Sequence, residues 1–149
     1  MATGGKIGNK TQFHMESPAG SGNFVQIAEV KQLSGPTKSR GVADATHLET
    51  PDDYEEQVAS IKNGGEVSLS LNFRPDDISQ GALSGLDAAF EDGVTRKWKI
   101  AYPQFPNAPY ITFPGFLTAG PEPTVAVKDV IGTTVKIKVT GKPIPTNFA

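Results

Sequence analysis

Glu66–Phe73 reads EVSLSLNF, with Val67, Leu69, Leu71 and Phe73 alternating with Glu66, Ser68, Ser70 and Asn72. Successive side chains of a β-strand point to opposite faces, so this segment predicts a strand with an apolar face on a core and a polar face turned outward. Thr95–Tyr102, TRKWKIAY, repeats the pattern, with Trp98 and Ile100 on one side and Lys97 and Lys99 on the other. In Thr134–Gly141, TVKIKVTG, Val135, Ile137 and Val139 turn inward and Lys136 and Lys138 outward. Paired with Thr124–Val130 across IGT, it predicts a C-terminal hairpin. Asn23–Leu33 and Pro109–Gly120 add strands rich in β-branched and aromatic residues, the second bent or bulged at Pro114–Gly115. The glycines of Asn63–Glu66, NGGE, make a turn; the segment lacks the spacing and the Lys of a phosphate-binding loop.

One segment departs from period two. In Pro75–Gly93, Ile78, Ala82, Leu86 and Phe90 recur every fourth residue, the stripe of an amphipathic helix. Asp76 or Asp77 would cap its N-terminus, and Gly93 suits the left-handed position after its end. The expectation is an antiparallel β-sandwich or small barrel with one flanking helix over about 76–92. Val67, Leu69, Leu71, Phe73, Trp98, Ile100, Val135, Ile137 and Val139 form its core, and Ile78, Leu86 and Phe90 pack on the sheet.

The chain of 149 residues is long enough for one domain, since chains of about 150 residues bury roughly two-thirds of their unfolded surface. A net charge of −2 gives no overall basic footprint for nucleic acid. The absence of cysteine excludes disulfides, thiolate zinc sites and thiol nucleophiles. The opening MATGGKIGNK has no apolar run, so no secretory signal is expected, and no stretch approaches the ~18 apolar residues of a membrane span. His14 and His47 lack the clustered carboxylates of a metal site, and no G-x-S-x-G nominates a nucleophile. The expected catalytic, metal and cofactor sets are therefore empty. Trp98, Tyr102, Phe105 and Tyr110 leave open a carbohydrate-binding sandwich.

Arg40–Asp53, RGVADATHLETPDD, fits neither core nor linker: Val42, Ala45 and Leu48 recur every third residue among polar ones. Between Asp44 and Glu56 lie six acidic residues and no Lys or Arg, whereas Arg96 to the C-terminus carries seven basic residues and two acidic ones. Such asymmetry suits a self-assembling subunit, because opposite patches steer association and penalise wrong contacts.

The order AEVKQLSGPTKSRGVADATHLET, NGGEVSLSLNFRPDD, helix, TRKWKIAYP and VKIKVTGKP resembles the major tail tube protein of long-tailed bacteriophages, over about Phe24–Pro143. The resemblance implies a β-sandwich or small barrel shared with contractile-tail and type VI secretion tubes. It implies hexameric rings stacked into a virion tail tube that conducts DNA without specific binding, assembled in the host cytoplasm. Its partners would be further copies of itself, a tape measure protein, a tail terminator and baseplate or tip proteins. A tube or completion protein of a related injection system is the neighbouring reading. Residues 40–57 would be an extended inter-subunit loop, with contacts through Arg40, Asp44, Thr46, Leu48, Asp52, Asp53, Tyr54, Glu55 and Glu56. Residues 1–22 would be an N-terminal arm, and no C-terminal immunoglobulin-like domain is expected. A conduit should not hold its cargo, so the lysine-free face Glu66, Ser68, Ser70 and Asn72 is expected to line the lumen, with Lys136 and Lys138 facing elsewhere.

Overall fold

Val67, Leu69 and Leu71 are fully buried and their neighbours Glu66, Ser68, Ser70 and Asn72 half-buried, so the alternation of Glu66–Asn72 is realised as a strand. The computed structural model describes residues 8, 10–49, 54–81 and 85–147. In chain order its elements are β1 (Gln12–Glu16), β2 (Phe24–Gln26), β3 (Val30–Ser34), β4 (Ser39–Asp44), β5 (Gln57–Asn63), β6 (Glu66–Asn72), α1 (Leu86–Asp92), β7 (Arg96–Ala101), β8 (Tyr110–Thr124), β9 (Gly132–Val139) and β10 (Ile144–Thr146). One antiparallel sheet runs β2-β1-β7-β8-β9-β6-β3, with β10 also on β8, and β4 and β5 form a separate two-stranded ribbon.

β2 and β3 are consecutive in the chain yet lie at opposite ends of that order. Laid flat, the sheet would hold them about 29 Å apart at ~4.8 Å per strand. The connection Ile27–Glu29 can span no more than about 14 Å. The sheet must therefore roll over on itself, and its two halves close on one core. No strand pairing joins β2 to β3, so the result is an open sandwich rather than a closed barrel. Main chain and side chains from elsewhere close the seam. Ile27 N–H donates to Phe13 O (2.8 Å) and Asn72 N–H to Glu29 O (3.0 Å). Ala28 N–H donates to Ser79 Oγ (3.0 Å), while Gln80 Nε2 donates to Ala28 O (3.0 Å) and Asn72 O (3.1 Å). Ser79 and Gln80 are buried, so these bonds satisfy backbone groups that no strand partner reaches.

Several expectations are corrected by this arrangement. Asn23–Leu33 is two strands, broken where Glu29 takes a left-handed φ of 57° at the corner. The helix begins at Leu86, not near 76, because Ser79 and Gln80 spend their side chains on the seam and Asp77 accepts from Ser79 N–H (2.9 Å) and Oγ–H (2.6 Å) in a turn. Gly85, not Asp76 or Asp77, is the N-cap, and Ile78 is exposed instead of packing on the sheet. Ala82 lies outside the described residues. Gly93 does end the helix in the left-handed region, and Leu86 and Ala89 are buried. Phe90 stays partly exposed, its ring packed where a Cβ on Gly120 would stand (2.8 Å). Phe73 is half-buried rather than core.

The arm expected over residues 1–22 contains a core strand. Phe13 and Met15 of β1 are buried, and Phe13 stacks on Trp98 with centroids 5.7 Å apart. β8 passes through Pro114–Gly115 without a bulge; the irregularities fall between Leu117 and Glu122. Gly115 is needed there, because a Cβ would meet Lys138 O at 2.7 Å while its own carbonyl accepts from Trp98 Nε1 (3.0 Å). Thr124–Val130 is not a strand beyond Thr124: Val125–Ile131 is the loop of the β8–β9 hairpin, which closes at Thr124↔Gly132.

Glu16 organises the loop after β1. Its carboxylate accepts N–H bonds from Gly20 (2.7 Å), Gly22 (3.0 Å) and Lys97 (3.3 Å). Burial pushes its pKa up, but these donors outweigh burial and hold it below the usual value. A carboxyl lowered in the folded state contributes stability above its unfolded pKa and loses it as pH falls through the folded one. The stability gap between the wild type and Glu16→Gln should therefore be full at neutral pH and shrink below the ordinary value of 4.5, as read by chemical denaturation at several pH values. Leu71→Ala should cost about 2–5 kcal/mol, and Gln80→Ala about 1–3 kcal/mol through its orphaned seam carbonyls. An unmoved urea midpoint in either variant would contradict the packing described here.

Candidate assembly surfaces

The ribbon β4–β5 leaves the sandwich between β3 and β6. Its root is held by Thr37, whose Oγ1 accepts from Glu66 N–H (3.0 Å), and by Gly65 at φ +77°, where any Cβ would collide with the Thr37 main chain. Asn63 Oδ1 accepts from Gly65 N–H (2.8 Å), so NGGE is the turn its glycines suggest. Beyond the root every residue of both strands is exposed. The pairs Val42↔Ala59 and Ala43↔Val58 present apolar side chains on both faces, and Ile61 is 86% exposed. A free two-stranded ribbon is marginal in water, because no third layer covers it.

Past the strands the chain keeps local order. Ala45 N–H donates to Glu56 O (2.8 Å), Glu56 N–H to Thr46 Oγ1 (2.9 Å) and Thr46 N–H to Asp44 Oδ1 (2.9 Å). The Thr46 bonds hold Asp44 below the usual carboxylate range, so it stays charged. His47 Nε2 lies 3.4 Å from a Glu56 carboxylate oxygen. Leu48 and Tyr54 are exposed. Of the contact residues expected from the sequence, Arg40 lies on β4 with Asp44, and Thr46, Leu48, Tyr54, Glu55 and Glu56 lie at or near the tip; Asp52 and Asp53 lie outside the described residues.

The expected separation of lysines from the Glu66 face does not hold. β6 pairs with β9 in the register Glu66↔Lys138, Ser68↔Lys136 and Ser70↔Thr134. Residues directly opposite in an antiparallel pair share a face, so Lys136 and Lys138 stand beside Ser68 and Glu66. Gln32 and Ser34 of β3 extend the same polar face. Trp98 is fully buried, which removes it as a sugar-stacking platform. Among the described residues no group of three or more His, Asp or Glu could hold a metal ion.

Sequence reasoning missed one surface. The loop Val125–Ile131 exposes Val125, Val127 and Val130; Val125 and Val127 alternate as if in a strand and so concealed a loop.

The sequence model of the lambda phage tail tube protein matches residues 7–146. The chain belongs to that family. It is a structural tail tube protein by family. The fold is that of solved tail structures at low identity. The tail of an empty gene transfer agent particle, refined with C6 symmetry, has a TM-score of 0.73 at 18% identity over 95% of this chain and 99% of that one. The SPP1 tail tube gives 0.68 at 12% identity over 93% and 77%, and a chain of the anti-feeding prophage baseplate gives 0.64 at 12% over 98% and 97%. No curated protein sequence matches significantly.

Removing the Thr46 hydroxyl in Thr46→Val should loosen the tip, because Glu56 N–H loses its acceptor and Asp44 its neighbour. The expected readout is faster amide exchange at Ala45 and Glu56 with an unchanged global unfolding midpoint.

Proposed function

We propose that the chain assembles into six-membered rings that stack into a hollow tail tube, through which DNA leaves the virion. The observation that carries this reading is the β4–β5 ribbon: it exposes apolar side chains on both faces and needs a neighbouring surface to cover it. Family membership and the C6 symmetry of a structurally similar tail support the ring number. The contacts run through Arg40, Asp44, Thr46, Leu48, Tyr54, Glu55 and Glu56, together with Asp52 and Asp53. The acidic tip faces basic residues of the next subunit.

The channel lining in this reading is the polar face of β6, Glu66, Ser68, Ser70 and Asn72, together with its neighbours Lys136 and Lys138 on β9. Glu66 opposite Lys138 offsets one of the two lysine charges per subunit, Lys136 opposite Ser68 leaves one positive charge, and the rest of the face is hydroxyl and amide. Ring symmetry repeats each such row, and the Glu66 carboxylates halve the phosphate neutralisation that the two lysines would otherwise provide. No catalytic step is part of the role. The chain is assembled in the host cytoplasm and meets a tape measure protein, a tail terminator and tip or baseplate proteins at the tube's core and ends.

Negative-stain electron microscopy of the purified protein should show tubes of uniform width. Single rings that never stack would favour a completion protein. Glu55→Lys/Glu56→Lys, at an exposed and a half-buried position outside the core, should leave a folded monomer that no longer polymerises; normal tubes from that variant would remove the charged contact.

A further inference from the structure

β6 joins two surfaces that the fold leaves uncovered. At its first residue, Glu66, the chain has just left the β4–β5 ribbon, whose root is pinned there by Thr37. At its last residue, Asn72, it pairs with Gly132, and Phe73 N–H donates to Ile131 O (2.7 Å). The loop Val125–Ile131 therefore stands at the far end of the same strand, about 20 Å away at ~3.3 Å per residue. Val125 is 72%, Val127 104% and Val130 70% exposed. A hairpin loop is ordinarily polar, yet among the described residues these valines stay largely uncovered. The ribbon carries the matching chemistry, with Val42 66%, Val58 53% and Ile61 86% exposed.

Two unlike apolar surfaces at opposite ends of one strand fit a head-to-tail contact, in which each copy offers one surface and receives the other. Such a heterologous contact runs on along an axis when its rotation does not close into a ring, whereas a two-fold contact uses the same patch twice and stops at a dimer. We propose that the Val125–Ile131 loop is the docking surface for the β4–β5 ribbon of a second copy of this chain, and that this contact stacks one ring on the next. The proposal rests on the tube reading and names the partner surface that reading leaves open. Lys128 in the loop is followed by Asp129, so the loop carries no net charge and its exposed valines carry the contact.

The chain has no cysteine, so introduced thiols report contacts without background. Ile61→Cys and Val127→Cys are placed together in one chain, and Val42→Cys with Val125→Cys in a second, both pairs at exposed positions that leave the core intact. Each is assembled, treated with a short bismaleimide and run on a denaturing gel beside an electron micrograph. The expected result is tubes with a ladder of trimers and higher species from the double variants, while each single variant stops at the dimer or below. Tubes from both pairs with no ladder would overturn the contact and leave the tube reading standing. A ladder from assemblies that are not tubes would uphold the contact and overturn the tube reading. Chains that stay monomeric and uncross-linked overturn both.

Discussion

The rest of the structure depends on the closing of a seam. Strands two and three of the chain must lie at opposite ends of one sheet while only Ile27–Glu29 joins them, so the sheet rolls up. The backbone at that corner has no strand partner on its open side. Ser79 and Gln80, arriving from the segment after β6, supply the bonds that a ladder would have supplied. An orphaned buried amide costs more than a made hydrogen bond returns, so these two residues fix where the roll ends. Arg74 reinforces the corner from outside through Glu29 (2.8 Å) and Asp76 (3.0 Å), at exposed positions where ion pairs add little. The same demand shortens the helix, since residues committed to the seam cannot also extend α1.

Rolling the sheet orients β6, and β6 separates the two exposed apolar surfaces proposed as subunit contacts. Its start carries the ribbon and its end carries the valine loop, while its inward face, Val67, Leu69 and Leu71, is locked in the core. In the proposed contact, a rigid strand between the two surfaces would present each at a fixed distance and angle. The polar face of β6 belongs to neither of these surfaces.

Much of this was legible in the sequence where burial is one-sided. β6, β7 and β9 alternate cleanly because one face meets the core and the other meets water, and their inward residues are buried as expected. The ribbon was legible as a segment too polar for a core and too patterned for a linker. β1 was not, although Phe13 and Met15 alternate with Gln12 and His14, because five residues beside a glycine-rich stretch read as an arm. The helix was overextended because Ile78 continues the four-residue stripe, while the seam bonds that override it link residues more than fifty positions apart. Val125 and Val127 mimic a strand, and only the pairing of Thr124 with Gly132 shows them to be a loop. The shared face of Glu66 and Lys138 is a matter of register, which composition does not reveal.

The central claim is that the ribbon is a docking element which the subunit alone does not stabilise. Amide hydrogen exchange of the monomer and of the assembled protein tests it most directly, since protection reports the local opening energy of each segment. In the monomer, the amides of β6 and β9 should exchange slowly and those of Ser39–Asp44 and Gln57–Asn63 within seconds. On assembly the ribbon should become as protected as the core. Ribbon amides as slow as β6 in the monomer, or still fast in the assembled state, would contradict the account.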